Sequence, residues 1–130
     1  MSSIFTKIIK REIPANIVAE SDAFIAFLDI NPLVLGHTLV VPKVEVDYIF
    51  DLDDEMLGQM LLFARPLAKA IRAVVPCMRV GLSVVGLEVP HAHLHLVPIH
   101  SADDLNFMRP KLSPGKGELA EIADRIKKAL

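Results

Sequence analysis

The most regular pattern of apolar positions lies in the middle of the chain and has a helical period. Between about Asp53 and Val75 the apolar residues recur three or four positions apart, which predicts an amphipathic helix. Asp51 or Asp53 can accept the first free backbone N–H groups as N-cap. Pro66 lies inside this stretch, so we expect a kink or two abutting helices near Arg65. The apolar positions are Leu57, Met60, Leu61, Ala64, Leu67, Ala68, Ile71 and Val75.

Shorter segments on either side of this helix predict β-strands. They are rich in β-branched and other apolar residues, and turn-forming residues such as Ser21-Asp22 and the segment 29–32 bound them. Most of the turns are short and only the central helix provides a long connection, so we expect antiparallel strands. The predicted strands cover residues 17–20, 23–28, 38–42, 78–85 and 91–97.

Both ends of the chain predict further helices. Ser3 can cap a short helix that extends to Lys10 and stops before the segment 12–14. Its inward side chains would be Ile4, Ile8 and Phe5. Residues 118–130 have an apolar face, and a short turn before them has a capping pair of Ser101 and Asp104. That face consists of Leu119, Ile122, Ile126 and Leu130.

These elements together predict an α+β fold in a single domain spanning residues 1–130. We expect a twisted antiparallel sheet of about five strands with the central helix packed on one face. A short N-terminal helix and a C-terminal helix complete the prediction.

Composition narrows the classes of function. Of the 130 residues, 52% are hydrophobic, yet no run of 18 apolar residues suggests a membrane span, so we expect a homodimer interface and no membrane partner. A net charge of -2 disfavours binding of extended nucleic acid but is compatible with a single nucleotide. Cys77 is the single cysteine and has no partner for an intramolecular disulfide. Charged residues at positions 10–12 interrupt any signal peptide, so the expected compartment is the cytoplasm.

The strongest chemical signal is the alternation of His91, His93 and His95 with apolar residues. On a strand the three imidazoles would share one face at successive spacings of roughly 6 to 7 Å. Such a cluster indicates a metal site, an anion site or a reaction, and the alternative is a strand whose histidines titrate at the surface.

A metal site fits the predicted spacing poorly. The three histidines would span about 13 Å, too far for bonds of about 2.0 Å to one zinc ion. A two-histidine site completed by His37 or Glu88 is the remaining metal alternative, and we expect neither a metal nor another required cofactor. Phosphoryl chemistry fits better, because one neutral imidazole can attack phosphorus while its neighbours donate hydrogen bonds. The central His93 can then attack phosphorus and form a covalent phosphohistidine-type intermediate.

The chain resembles the histidine triad (HIT) family. Residues 91–97 match the family's pattern of three histidines alternating with apolar residues, and residues 4–14 are similar to its N-terminal segment. Residues 27–32 and 36–43 are similar to its nucleotide-binding half. The resemblance covers roughly residues 4 to 100. It implies a homodimer with sheets joined across the interface and an enzyme, or a relative of one, that acts on a phosphorus bonded to a nucleoside.

The resemblance also implies roles for single residues. His93 would be the nucleophile, His95 and His37 would contact the phosphate, and His91 would orient the group. Asp29 would accept hydrogen bonds from the ribose hydroxyls, as a carboxylate can. The nucleotide-binding segment would add Ile30 and Asn31, with Phe5 and Phe27 as walls of the pocket.

Each of these roles has a structural alternative. Asp29 can be a turn residue that bonds its own backbone, and His37 can be a surface histidine at the entrance to a strand. Phe5 and Phe27 can be ordinary core residues.

The segment before the triad departs from the family pattern. Many members have a longer glycine-rich loop there, whereas this chain runs from Ser83 through Gly86 directly to His91. Ser83 is near the place of the family's asparagine, and Gly86 still allows close approach to a phosphate. Leu87 cannot donate a hydrogen bond. Glu88 would have to be protonated, paired with a cation or used as a general acid if it faces the site, and otherwise it is a surface glutamate.

The sequence thus predicts a nucleotidyl hydrolase or transferase. The expected substrate is a nucleoside phosphoramidate or a related nucleotide conjugate, attacked at the α-phosphorus through a nucleotidyl-histidine. The alternatives are a catalytically slow protein that binds a purine mononucleotide, a dinucleoside polyphosphate hydrolase and a metal-dependent enzyme.

Overall fold

Five antiparallel strands form one sheet in the computed structural model, which describes residues 2–130. Along the chain the strands are β1 (Ile17–Glu20), β2 (Phe24–Leu28), β3 (Thr38–Pro42), β4 (Arg79–Ser83) and β5 (Leu94–Ile99). In the sheet they have the order β1-β2-β3-β5-β4, and each neighbouring pair is antiparallel. The predicted five-stranded antiparallel sheet is confirmed.

Three α-helices accompany the sheet: α1 (Ile4–Ile9), α2 (Asp54–Val74) and α3 (Lys116–Ala129). Two short 3-10 turns at Ile49–Asp51 and Ala102–Leu105 precede α2 and follow β5. These positions agree with the predicted α+β class. Over residues 2–130, no helix has the length and apolar character needed to cross a membrane.

Helices α1 and α2 begin at the predicted side-chain caps. Ser3 Oγ accepts the backbone N–H of Thr6 at 3.0 Å, and Asp53 Oδ1 accepts that of Met56 at 2.8 Å. Helix α2 continues through Pro66 as one element, so the alternative of two abutting helices is wrong. Pro66 and Leu62 are exposed, so water can bond to the Leu62 carbonyl that lacks its helical N–H donor.

The two faces of the sheet bury different partners. One face packs against α2 and α3 through the strand residues Ala26, Leu28, Val40, Leu94 and Leu96. The opposite face packs against Phe5 and Ile8 of α1 through Ile25, Phe27, Leu39 and Val41. His95 alternates with Leu94 and Leu96 along β5, which places its side chain on the α1 face.

The structure corrects several predicted boundaries. Strand β5 begins at Leu94 and not at residue 91, because the N–H of Ala92 bonds to Val46 and that of His91 to Val89. Strand β4 runs from Arg79 to Ser83 and not over residues 78–85, and its last pair joins Ser83 to His95.

Three residues of the predicted apolar faces are exposed, and one of them is Leu61 of α2, at 55%. Ile4 is 51% exposed because a helix as short as α1 presents only Phe5 and Ile8 to the sheet. Leu130 is 54% exposed because it follows the last residue of α3.

Candidate active site

The three triad histidines lie on the face of the sheet that α1 covers. His95 is on β5 opposite Leu39 of β3 and Ser83 of β4. His91 and His93 lie in the extended segment just before β5, and the Phe5 ring packs edge-on against both, with ring centroids 5.8 and 4.9 Å apart. The histidines are 0 to 7% exposed. The alternative of histidines that titrate at the surface is therefore wrong.

His93 is held in one tautomer by the backbone of the triad itself. Its Nδ1 lies 2.7 Å from the carbonyl oxygen of His91. A carbonyl oxygen only accepts, so Nδ1 carries the hydrogen and donates it. The Nε2 of His93 is therefore the atom with a free lone pair.

His95 is held in the opposite tautomer by two successive hydrogen bonds, from Leu33 to His37 and from His37 to His95, which we call the His37 relay. The N–H of Leu33 donates to His37 Nδ1 at 3.1 Å, so the hydrogen of His37 is on Nε2. His37 Nε2 then donates to His95 Nδ1 at 2.9 Å. The hydrogen of His95 is consequently on Nε2, which becomes a donor.

A lone pair and an N–H donor are thus presented side by side. The ring centroids of His93 and His95 are 4.7 Å apart. The Nε2 atoms of these two rings have no hydrogen-bond partner. Within residues 2–130 every fully buried side-chain nitrogen and oxygen does have one, so these two Nε2 atoms are exposed and accessible to a ligand. A nucleophile and a hydrogen-bond donor that face one ligand suit chemistry at a phosphoryl group.

Burial keeps these imidazoles neutral. It lowers the pKa of His37 to about 4, with help from the positive charge of Lys111. It lowers that of His95 to about 3, where His93 and His37 add to the effect. The pKa of His93 is also lowered by burial, and the hydrogen bond to the His91 carbonyl opposes the change. Near pH 7 the nucleophilic lone pair of His93 is therefore free.

His91 is anchored through both of its ring nitrogens. Nε2 lies 2.8 Å from the carbonyl oxygen of Pro42, and Nδ1 lies 2.7 Å from Ser3 Oγ. The carbonyl requires a hydrogen on Nε2, so Nδ1 accepts from the Ser3 hydroxyl. His91 itself is fully buried and presents no free nitrogen. It can support the site without contacting a ligand through its ring.

A small apolar cavity of about 130 Å³ lies between α1 and the end of β2. Phe5 and Phe27 form part of its wall, with ring centroids 5.5 Å apart, and Asp29 is its one polar lining residue. Ile30 also lines it and is 61% exposed. The residues that the resemblance assigns to nucleotide binding are therefore brought together, apart from Asn31 and the segment before the triad.

The carboxylate of Asp29 both stabilises a turn and lies close to the ring of His37. One carboxylate oxygen, Oδ1, accepts the backbone N–H of Asn31 at 2.9 Å. The other, Oδ2, is 3.8 Å from His37 Nε2. Burial raises the pKa of Asp29, and the Asn31 hydrogen bond opposes the rise. The turn uses one oxygen and leaves the second for a ligand.

The segment before the triad is placed at the rim of the site. Gly86 is exposed with φ 73°, and it lines, together with His93, a second cavity of about 460 Å³. Glu88 is exposed, yet its carboxyl group lies close enough to oppose the lowering of the His93 pKa. Ser83 is half-buried opposite His95.

Sequence reasoning missed part of the site. The Phe107 ring packs against His95, with centroids 4.7 Å apart, and Lys111 lies over that ring at 5.8 Å. The segment around Phe107 has no periodic pattern that would have indicated this contact. The sequence pattern indicates Ser3 only as a helix cap, although Ser3 also contacts His91.

The arrangement of the described side chains also bears on the geometry that a metal site needs. Residues 2–130 contain no group of three or more His, Cys, Asp or Glu side chains arranged to hold a metal ion. The facing nitrogens of His37 and His95 already share one hydrogen bond.

Known proteins with similar sequence or structure point to one family. The model of the HIT domain matches residues 10–102. An uncharacterized HIT-like protein of Borreliella burgdorferi is 35% identical over 113 residues, which cover 82% of this chain and 81% of that protein. The purine nucleoside phosphoramidase of Escherichia coli strain K12 is 34% identical over 105 residues, which cover 73% of this chain and 85% of that protein.

A solved structure extends the similarity over nearly the whole chain. The HIT-like protein from Bartonella henselae has a TM-score of 0.85 and 30% identity, and the match covers 99% of this chain and 97% of that one. Together with the phosphoramidase relative, the family match supports a nucleotide-binding hydrolase or transferase at the level of the family. The chain belongs to the histidine triad (HIT) family.

Proposed function

We propose that this protein hydrolyses nucleoside phosphoramidates or related nucleotide conjugates at the α-phosphorus, with His93 as the nucleophile. The observation that carries the proposal is the pair of opposite tautomers, a free lone pair on His93 Nε2 beside an N–H donor on His95 Nε2. The phosphoramidase relative supports this class of substrate.

The first step forms a nucleotidyl-histidine. His93 Nε2 bonds to the α-phosphorus while the bond from phosphorus to the leaving amine breaks, and the amine takes up one proton from the solvent. His93 becomes a cation, which its Nδ1–H to the His91 carbonyl stabilises. His95 Nε2–H donates to a phosphoryl oxygen as charge builds there.

The second step restores the enzyme. A water molecule bonds to phosphorus, the bond between phosphorus and Nε2 breaks, and the water gives up one proton. The products are a nucleoside monophosphate and neutral His93. No metal takes part in either step of the proposal.

The nucleoside would occupy the apolar cavity beside Phe5 and Phe27. Asp29 Oδ2 would accept hydrogen bonds from the ribose hydroxyls, since Oδ1 already accepts the backbone N–H of Asn31. Apart from Asp29 the cavity wall is apolar, which favours recognition of a base by its shape and ring face.

We expect the protein to act in the cytoplasm. We also expect a homodimer in which the sheets of two subunits join along β4. Among residues 2–130, strand β4 pairs only with β5 and so is an edge strand, and exposed apolar side chains lie on it and around it. They are Leu61, Leu82, Val84, Val85 and Leu87. Sedimentation velocity should give a dimer for the wild type and a monomer for Val85→Asp, and a monomeric wild type would contradict the proposal.

The test of the reaction uses a fluorogenic adenosine phosphoramidate. His93→Ala should lose at least about a thousandfold in kcat/KM, since the nucleophile is gone. His100→Ala is the matched control, because His100 is exposed and lies outside the site. Acid-quenched wild type should carry one nucleotide label on His93, and chelation should leave its rate unchanged. Equal rates for wild type and His93→Ala would rule out His93 as nucleophile.

The segment before the triad favours a second candidate, a slow nucleotide-binding protein. Leu87 is 87% exposed and Glu88 places a carboxyl group at the rim, so neither supplies a donor to the leaving group. In that case calorimetry would detect AMP binding, while phosphoramidates and dinucleoside polyphosphates would not turn over and the quenched protein would carry no label.

A further inference from the structure

The first turn of α1 lies directly against the triad. Ser3 Oγ is 2.7 Å from His91 Nδ1, although 88 residues separate them in the chain. Both side chains are buried, at 7% and 0% exposed. The contact therefore lies inside the protein, where an unpaired ring nitrogen would be costly.

Two further hydrogen bonds hold Ser3, and a third fixes the group that it contacts. Its Oγ accepts the backbone N–H of Thr6 at 3.0 Å, and its own N–H donates to Glu45 Oε1 at 2.7 Å. The Thr6 hydroxyl donates to the same Glu45 oxygen at 2.5 Å. These hydrogen bonds, first the one from Ser3, lower the pKa of Glu45 and so keep it an acceptor. The Ser3 hydroxyl proton has two acceptors within reach, His91 Nδ1 at 2.7 Å and Thr6 Oγ1 at 3.3 Å, and the shorter distance favours His91.

The effect of this contact reaches the nucleophile through the backbone. With the Ser3 hydroxyl donating to Nδ1 and the Pro42 carbonyl accepting from Nε2, the His91 ring has one tautomer and one orientation. The carbonyl of the same residue is the acceptor for His93 Nδ1–H at 2.7 Å. Fixing the ring of His91 therefore fixes the group that selects the reactive tautomer of His93.

We propose that Ser3 is a positioning residue for the reaction at His93, acting through His91. For its kinetic test the inference rests on the proposed phosphoramidate hydrolysis. Its geometry distinguishes it from a helix cap alone. A cap needs only an acceptor or a glycine, whereas the contact with His91 needs a hydroxyl that accepts and donates together.

The kinetic experiment compares three variants with the wild type. Ser3→Gly removes the hydroxyl while glycine still suits the cap position, and Ser3→Thr retains the hydroxyl. Ile9→Ala is the matched control, because it weakens the packing of α1 without touching His91. We expect Ser3→Gly to lower kcat by about tenfold with KM within about twofold, because the tautomer and not the binding pocket is affected. Ser3→Thr should recover most of the rate.

A spectroscopic experiment does not depend on turnover. Long-range ¹⁵N–¹H correlation spectra report which nitrogen of each imidazole carries the hydrogen. The wild type should show His93 as the Nδ1–H tautomer alone, and Ser3→Gly should show a mixture. Ile9→Ala should resemble the wild type.

The outcomes separate this inference from the proposed function. Wild-type kcat together with a single His93 tautomer in Ser3→Gly would overturn the positioning role, as would equal losses in Ser3→Gly and Ile9→Ala. If the wild type fails to hydrolyse phosphoramidates, the proposed function fails, and the tautomer spectra alone decide the role of Ser3.

Discussion

At the scale of single residues, the site depends on which nitrogen of each histidine carries its hydrogen. His93 and His95 are the same residue type, two positions apart, with ring centroids 4.7 Å apart. They present opposite groups because one donates to a carbonyl and the other accepts from His37. The partners, and not the motif, give the two rings their different chemical functions.

The His37 relay can be tested by removing the ring of His37, which donates the hydrogen bond to His95. His37→Leu should lower kcat by about tenfold or more, because His95 Nδ1 loses its partner and the Nε2–H donor is no longer selected. His37→Gln has an amide that can donate to His95 and accept from Leu33, so it should retain more of the rate. Steady-state kinetics measure both, and equal rates for the two variants would contradict the relay.

The role of Asp29 can be separated from its turn. Asp29→Asn keeps an oxygen for the Asn31 N–H but loses the charge, so KM for ribonucleotide substrates should rise by about tenfold. The same variant should have little effect on a substrate that lacks both ribose hydroxyls. A KM increase of equal size for the two substrates would show that Asp29 acts only through the turn.

At the scale of elements, the turn before β3 decides where His37 lies. Gly36 has φ +98°, a conformation that side chains disfavour, and a Cβ there would be 2.9 Å from Val75 Cγ2. His37 follows immediately, and its N–H bonds to the Val34 carbonyl. The left-handed residue lets the chain turn closely over the end of α2 and enter β3 with His37 buried.

Gly36→Ala should therefore destabilise the protein by about 1 to 3 kcal/mol. Gly58→Ala is the control within α2, where nothing lies within 4 Å and alanine should stabilise by roughly 0.5 to 1 kcal/mol. Urea unfolding followed by circular dichroism measures both changes. A neutral or stabilising effect of Gly36→Ala would mean that this turn adapts without strain.

At the scale of the whole molecule, burying neutral histidines couples folding to pH. The pKa of His37 falls from its usual 6.5 to about 4 on folding, and that of His95 to about 3. Between pH 6.5 and about 4 the unfolded chain binds protons that the folded chain does not. The free energy of unfolding must therefore decrease as pH falls through this range.

We expect the decrease to be about 1.4 kcal/mol per pH unit for each such histidine, well below pH 6.5. Paired carboxylates such as Glu20 and Asp104 have lowered pKa values and act only below about 4.5. The pKa of Asp29 is raised by burial, which acts in the opposite sense, so a decrease above about 4.5 reports the histidines. Urea unfolding at closely spaced pH values measures the slope. His37→Gln should reduce it, His100→Gln should not, and an unchanged slope in His37→Gln would contradict the assignment.

Local patterns in the sequence determined much of this molecule. The helical period around Met60, the cap at Asp53 and the hairpin at Ser21 depend on residues close together in the chain, so the sequence alone predicts these elements. The alternation of histidine with buried apolar residues likewise placed His95 and Leu94 on opposite faces. These features follow from periods of 2 and 3.6 residues.

Only the tertiary structure decided which nitrogen of each triad histidine carries the hydrogen. Ser3 meets His91 across 88 residues, His37 meets His95 across 58, and Phe107 covers His95 from beyond the sheet. These contacts select the tautomers, and burial lowers the pKa values of His37 and His95. The sequence by itself identified the histidines, but their separate chemical states depend on partners that come close only after the sheet has formed.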